Sequence, residues 1–294
     1  MHGRRVDGYH EISTVFQTIT LRDNLTFEEL QGERFELACA RPDIPVDERN
    51  LVHRAAAALR ERFGAARRGA RVELEKRIPA GGGLGGGSSD AATALVGLAN
   101  LWAIETSKAE LTEIGARLGA DVPFFLTGGR ALGTGTGTHV TPLEDVATRH
   151  LVVVTPGVKV STAEAHKALN APALTKAGSA VMLPISRAEA QNSDSFCELM
   201  HNDFEAVVFR LYPEIERARN ALLGEGARGA LLSGSGSSVF GVFENEDEAA
   251  SASNALRRVE TGWEVFACNT LSRAEYVKAF GRCAAALANP AAQT

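Results

Sequence analysis

The sequence predicts an α+β fold in two domains. Three observations carry that reading. Helix-period and strand-period segments interleave without strict strand–helix–strand alternation, which disfavours a doubly wound parallel sheet. Six glycines fill seven positions from Gly81 to Gly87, broken only by Leu84, between a strand pattern and a helix pattern. Near residues 142–150 the polar TPLEDVATRH precedes an apolar strand, LVVVTPG. That change marks a domain boundary, giving an N-terminal domain over 1–145 and a C-terminal domain over 146–294. Two domains is also the ordinary expectation for 294 residues.

Taken in order, the elements follow from period and punctuation. Asp7-Gly8 reads as a tight turn. EISTVFQTITL alternates from Ile12 through Val15, Phe16 and Ile19 as a strand, and DNLTFEEL is expected to pair with it across Asp23-Asn24. Residues 33–40 form a further short strand, and Pro42 and Pro45 mark a loop. Asn50 to Arg62 is a helix with Leu51, Ala55, Ala58 and Leu59 on one face, stopped by Gly64. Arg71 to Ile78 alternates as a half-buried strand leading into the glycines. Ser88 or Ser89 is the expected N-cap of the next helix, with Asp90 in its first turn and Leu95, Leu98, Ala99 and Trp102 as a core-facing stripe. A second helix spans about Lys108 to Leu118 and stops at Gly119. Residues 128–140, rich in glycine and threonine, suggest a hairpin. Beyond the boundary come a helix from about Ser161, a loop with Pro172 and Pro184, and helices near 186–200 and 203–223. GARGALLSGSGSSVFGVF reads as strand, glycine turn, strand. A helix at 246–258 and a strand near Trp263 to Cys268 follow, and the tail beyond about Gly281 is expected to fray.

Composition narrows the function classes. Apolar residues are 45% and charged residues 23%, an ordinary globular balance. The net charge of −5 and the lack of a lysine-rich block argue against a nucleic-acid partner. Cys39, Cys197, Cys268 and Cys283 are widely spaced with no CxxC pair, as expected of reduced thiols rather than a disulfide frame or zinc site. The seven histidines show no HExxH pairing, and no metal site is assigned. No 18-residue apolar run and no signal-type N-terminus are present, so a cytoplasmic protein with no membrane partner is expected.

The glycine stretch is the chemical centre of the sequence. Glycine lets backbone approach a ligand closely, and a helix start offers free N–H groups and a positive dipole end to an anion. Gly81, Gly83 and Gly86 match GxGxxG, but a dinucleotide fold needs a second parallel strand after the helix, where a second helix is read instead. A Walker A loop needs GK[ST], and a protein-kinase loop needs HRD and DFG segments; none is present. A plain flexible linker is the remaining alternative, and the strand and capped helix flanking the glycines argue against it.

Read as P-x-G-G-G-L-G-G-G-S-S from Pro79 to Ser89, the stretch closely resembles the phosphate loop of the GHMP kinases, which include galactokinase and the homoserine, mevalonate and phosphomevalonate kinases. Three further segments carry the same resemblance in the right order: RVDGYHEISTVFQ at the start, LGADVPFF over 118–125, and SGSGSSVFGVF over 233–243. RVDGYH and the extra glycines resemble the branch of that family whose acceptor is a cytidine diphosphate-linked methylerythritol of the non-mevalonate isoprenoid pathway.

The resemblance implies ATP-dependent phosphorylation of a hydroxyl, in a cleft between two α+β domains, with Mg²⁺ neutralising phosphate oxygens. It implies that Pro79, Ala80, Gly81, Gly82, Gly83, Leu84, Gly85, Gly86, Gly87, Ser88 and Ser89 wrap the ATP phosphates. Asp121 would be the base that takes the hydroxyl proton, although an Asp before Val-Pro also suits a helix N-cap. Tyr9, His10 and Phe16 would form the cytidine pocket, where a ring can stack on the base and a polar edge read it. His166 stands where the family usually places Phe or Tyr on the other face of the base. Asn50 and Lys76 would lie near the adenosine, though a capping Asn and a solvated strand Lys explain them as well. The partners implied are ATP and the cytidyl substrate, with the chain a monomer or weak homodimer.

One departure stands out. Family members carry a lysine-bearing strand of the type P-A-K-x-N-L before RxDGYH, and here Met1 precedes Arg4 by only a few residues. The expectation is an exposed sheet edge and one positive charge fewer at the active site, worth about 10²–10³ in rate for a preorganised group. A start placed too far downstream explains this, and a catalytically impaired nucleotide-binding form or a kinase for another small alcohol are the alternatives.

Overall fold

The computed structural model describes residues 3–4, 10–169 and 200–288. Asp7-Gly8, Tyr9, the loop with Pro172 and Pro184, and nearly all of the helix expected near 186–200 lie outside them. Strand β1 (Gly3–Arg4) runs antiparallel to β2 (His10–Gln17), which pairs on its other edge with β6 (Arg130–Gly135). The expected hairpin is formed by β6 and β7 (His139–Pro142). From Ile12 to Gln17 the far edge of β2 has no strand partner among the described residues.

Strand β3 (Asn24–Leu30) does not fold back on β2 as the sequence suggested. It pairs antiparallel with β5 (Gly69–Glu75), and β4 (Phe35–Cys39) lies parallel on the other edge of β5. The cause is the segment between. Leu271 N–H donates to the Thr18 carbonyl and Thr20 N–H to the Asn269 carbonyl, each at 2.8 Å. The chain is thus carried away from the first sheet before β3 begins.

Helices α1 and α2 pack on this three-stranded sheet, and α3 packs on them. Helix α1 (Leu51–Phe63) is capped by Asn50, whose side chain accepts from Val52 N–H at 2.9 Å, and ends at Gly64 in the left-handed region. Helix α2 (Gly86–Leu101) is buried almost all round between Asp90 and Ala99, not along one stripe. It is the central rod of the domain. Trp102 closes its end and donates from Nε1 to the Gly69 carbonyl at 3.1 Å. Helix α3 (Lys108–Leu118) starts on a reciprocal Ser107–Glu110 capping box. The short helix α4 (Val122–Thr127) follows with Pro123 in its first turn.

The second half is built on an antiparallel sheet of order β11-β8-β10-β9, from β8 (His150–Thr155), β9 (Gly229–Leu232), β10 (Val239–Phe243) and β11 (Glu264–Asn269). Both faces of β8 are covered. Val152 and Val154 join a core with Ile215, Leu222 and Leu256, while Leu151 and Val153 face the other way with Val242 and Cys268. The helix expected from about Ser161 is α5 (Thr162–Leu169). The helix expected over 203–223 is two, α6 (Glu205–Leu211) and α7 (Pro213–Gly224). Pro213 has no N–H to continue the first helix and suits the start of the second. Helix α8 (Glu246–Leu256) completes the layer.

As far as residue 288 the tail corrects the expectation of fraying, and residues 289–294 lie outside the described residues. Helix α9 (Arg273–Lys278), a 3₁₀ turn (Gly281–Ala284) and α10 (Ala285–Ala288) are ordered. Val277, Phe280, Cys283 and Leu287 pack into the core formed by α1, α2 and α3. Apolar burial holds the segment where composition alone suggested none. Among the described residues no helix is long and apolar enough to cross a membrane. Leu287 is 5% exposed, so Leu287→Ala should lower the free energy of unfolding by about 2 kcal/mol or more, measured by urea denaturation. A change near zero would mean the tail does not contribute to the core.

Candidate active site

The glycine loop leaves β5 and enters α2. The sequence places the helix cap at Ser88 or Ser89; the structure starts the helix at Gly86 instead. Gly85 takes the cap position at φ 68°, a conformation open to glycine, so the helix begins one turn earlier. Ser88 and Ser89 therefore lie inside the first turn, and Asp90 beyond it is buried rather than set at the dipole end.

A cavity of about 350 Å³ opens beside the loop, lined by Ile44, Pro45, Asn50 and Leu51 on one side and residues 79–88 on the other, with Lys76 and Asp90 at its base. Pro79, Ala80, Gly81, Gly82, Gly83, Leu84, Gly85, Gly86, Gly87 and Ser88 all line it, and Ser89 does not. Its wall of backbone amides at the N-terminus of a 16-residue helix suits an anion.

The loop is gripped from the second half of the molecule. Ser238 N–H donates to the Gly82 carbonyl and the Ser233 hydroxyl to the Gly83 carbonyl, both at 2.9 Å. A Cβ at Gly83 would run into the Ser233 carbonyl, and one at Gly236 into the Gly83 amide. The seam is backbone against backbone and has no room for a side chain. Leu84, the one interruption of the glycine run, packs on the β8–β10 face around Leu151 and Val153.

Asp121 stands at the N-cap position of α4, yet its side chain makes no capping bond. The carboxylate is free of the role that a bland reading assigns to it. Burial pushes its pKa above the usual carboxylate value, and no charge among the described residues offsets that push. Ser88 lies near the turn two residues before Asp121: a Cβ on Gly119 would lie 3.7 Å from the Ser88 hydroxyl. On the other flank, a Cβ on Gly137 would lie 4.0 Å from Asp121 Oδ1 and 3.3 Å from Ile12. The phosphate-loop helix, the Asp121 turn, β2 and the β6–β7 turn thus meet around one carboxylate.

The residues expected at the cytidine pocket are less gathered. Tyr9 lies outside the described residues, and His10 opens β2. The Phe16 ring stacks on Phe124, the third residue of α4, with centroids 4.8 Å apart. His166 lies on α5, edge-on to Phe204 at 4.9 Å. Among the described residues the Phe16 and His166 rings do not touch.

Lys76 is not a solvated strand lysine. Its side chain is 4% exposed, and its ammonium lies between Asp23 and Asp90, donating to Asp90 Oδ2 at 2.7 Å. Asp23 Oδ1 also accepts from the N–H groups of Arg77 at 2.6 Å and Ile78 at 2.8 Å. Sequence reasoning saw Asp23 as a turn residue and missed this cluster. Its members are 53 and 14 positions apart, and no local pattern links them. Burial raises the Asp90 pKa to about 7; Lys76 opposes the shift and the Asp23 charge reinforces it.

Comparison with known proteins follows the same seam. Residues 50–129 match the GHMP kinases N terminal domain and residues 184–260 the GHMP kinases C terminal domain. A 4-diphosphocytidyl-2-C-methyl-D-erythritol kinase of Syntrophotalea carbinolica is 41% identical over 90% of this chain and 92% of its own length. The chain belongs to the 4-diphosphocytidyl-2-C-methyl-D-erythritol kinase family of GHMP kinases. The family enzyme of Prosthecochloris aestuarii is 42% identical over 86% of the chain and 88% of its own length. A crystal structure of 4-(cytidine 5'-diphospho)-2C-methyl-D-erythritol kinase superposes with a TM-score of 0.73 at 36% identity, covering 92% of this chain and 93% of that one. A homoserine kinase from Cytophaga hutchinsonii, at 20% identity and a TM-score of 0.66, shares the fold.

The raised Asp90 pKa gives a stability signature for this GHMP kinase. Below the ordinary carboxylate value, near 4, folded and unfolded chains are both protonated there and the contribution is fully present. As pH climbs towards 7 the unfolded chain releases a proton that the folded chain keeps, and the contribution is lost. Asp90→Asn should therefore flatten the fall in unfolding free energy between pH 4 and 7 by on the order of a few kcal/mol, measured by urea denaturation across that range. An unchanged slope would exclude Asp90 as its source.

Proposed function

We propose that the chain transfers the γ-phosphoryl group of ATP to a hydroxyl of 4-diphosphocytidyl-2-C-methyl-D-erythritol, in the non-mevalonate route to isoprenoid precursors. The observation that carries this reading is the buried Asp121 carboxylate, which makes no capping bond and follows by two residues the Gly119 turn packed near Ser88 of the glycine-loop helix. The relatives that match over most of the chain are named for that activity, and RVDGYH is the segment that sets their branch apart.

Residues 79–88 hold the ATP phosphates through backbone N–H groups at the start of α2, where the helix dipole favours negative charge. Ile44, Pro45 and Leu51 give the cavity an apolar wall against which the adenosine rests. Asp121 accepts the proton of the attacking hydroxyl, which leaves the oxygen free to bond to phosphorus as the bond to the departing diphosphate breaks. Phe16 on β2 gives the cytosine a ring face, with Tyr9 and His10 at its edge and His166 across from it. Mg²⁺ would fit here as a nucleotide-borne cation, with the Ser88 hydroxyl as its ligand from the chain and phosphate and water supplying the rest. When bound it neutralises phosphate charge.

The decisive experiment is ATP consumption with the cytidyl substrate, set against homoserine, mevalonate and methylerythritol phosphate lacking cytidine. Turnover confined to the cytidyl substrate supports the reading, and equal turnover with a substrate lacking cytidine would overturn it. Asp121→Asn should keep the fold and lower kcat by about 10²–10⁴. The base must be ionised, and burial has raised its pKa. Wild-type kcat/KM for the acceptor should therefore fall with decreasing pH at a higher pH than an ordinary carboxylate would give. Asp121→Asn should lose that acid limb; a variant with wild-type kcat would remove Asp121 from the mechanism.

A further inference from the structure

Of the Asp23–Lys76–Asp90 cluster, Lys76 and Asp90 line the cavity beside the loop and Asp23 does not. The three side chains are 2%, 4% and 4% exposed. Two carboxylates sharing one ammonium in such a place add little net stability, since apolar residues of similar volume commonly serve as well or better. What the cluster supplies is geometry. Asp23 Oδ1 accepts from the two successive amides, of Arg77 and Ile78, where the chain leaves β5 for the glycines. Its other oxygen holds the Lys76 ammonium. That ammonium reaches across to α2, bonding Asp90 and lying so close to Gly86 that a Cβ there would come within 2.9 Å of it. One carboxylate thereby ties down both ends of the loop over 79–85.

Asp23 is itself anchored elsewhere. Three residues before it, Thr20 is hydrogen-bonded by its amide to the Asn269 carbonyl and by its hydroxyl to the Asn269 amide, at 2.8 and 3.0 Å. Ile19 bridges to Thr270, and Ile19 and Leu21 pack on the same β8–β10 face as Leu84. Residues 18–23 are thus a short strap from the second sheet to the base of the loop.

We propose that Asp23 is a positioning residue for the nucleotide site, holding the two ends of the phosphate loop in register with each other and with the second sheet. It touches neither ATP nor acceptor and acts through Lys76 and the amides of residues 77 and 78. The proposal rests on the reading that the loop carries ATP phosphates, and its test separates the two.

Asp23→Asn keeps an acceptor for the two amides and removes the charge that holds Lys76. In the unliganded protein, hydrogen exchange of the bonded amides around the loop, those of Arg77, Ile78, Ser89 and Ser238, should speed up by tenfold or more, while the β3–β5 ladder is unchanged. The Asp90 carboxyl, followed by ¹³C NMR, should titrate at a lower pH than in the wild type, because the neighbouring negative charge has gone. KM for ATP should rise by tenfold or more, with kcat and the acceptor KM within threefold of wild type. Unchanged loop exchange with an unmoved Asp90 titration would overturn the proposal, as would exchange that rises equally everywhere. If Asp23→Asn does not fold, Asp23→Glu keeps the charge at the wrong reach and should show the same loop-confined exchange and raised KM for ATP; wild-type values in it would overturn the proposal. Absence of wild-type turnover with the cytidyl substrate would sink the kinase reading alone, since the exchange and titration measurements need no ligand.

Discussion

A loop made of backbone has no side chains with which to hold its own shape, so its conformation must be imposed from outside. Here the imposition is a seam in which the Gly82 and Gly83 carbonyls accept from Ser238 and Ser233, and Gly83 and Gly236 pass too close for any Cβ. Much of the active site depends on that seam. It sets the glycines against the second sheet, lets Leu84 drop onto Leu151 and Val153, and leaves the amides at the start of α2 facing an open cavity. Ser238 is backed in turn by Thr155, with the two hydroxyl oxygens 2.7 Å apart, so the contact is continuous with the end of β8.

Around this seam the charges are unevenly treated. The carboxylate placed for chemistry, Asp121, sits without a compensating cation among the described residues and has a raised pKa. The carboxylates placed for architecture, Asp23 and Asp90, share an ammonium in near-complete burial. A base needs a free lone pair and a proton affinity near the working pH. A brace needs its oxygens engaged, as both of Asp23's are, while Asp90 is held through Oδ2 alone. The same residue type fills both roles because the surroundings differ, not the side chain.

Much of this was legible in the sequence, and the gaps have physical reasons. The alternation of 71–75, the capped helices at 51–63 and 108–118, and the strand–turn–strand around 229–243 are local patterns, and all formed where period and punctuation placed them. Strand pairing is not local. β3 left β2 for β5 because hydrogen bonds to residues 269–271, some 250 positions away, pull the intervening chain across the molecule. The cap at Gly85 was missed because serine is the better cap by side chain, whereas here a left-handed backbone decides. For Lys76 a place near the nucleotide and a solvated strand position stood side by side, and its burial against Asp23, far off in sequence, removes the second. The tail looked frayed because alanine content says nothing of a Leu287 that finds a core. His166 and Phe16 sit on different elements, α5 and β2, each against a phenylalanine, Phe204 and Phe124.

That docked tail has a meaning for the order in which the chain acquires its structure. Residues 277–287 complete the core of α1, α2 and α3, yet they are made only after every strand of the second sheet. On the ribosome the first half must therefore wait, its apolar surface near α2 and α3 uncovered, while some 150 further residues emerge. At ordinary synthesis rates of about 5–20 residues per second that is an interval of roughly eight to thirty seconds, long on the scale of helix formation and collapse. The two halves of this kinase are consequently not independent folding units, and maturation of the phosphate loop's own domain is timed by the far end of the chain.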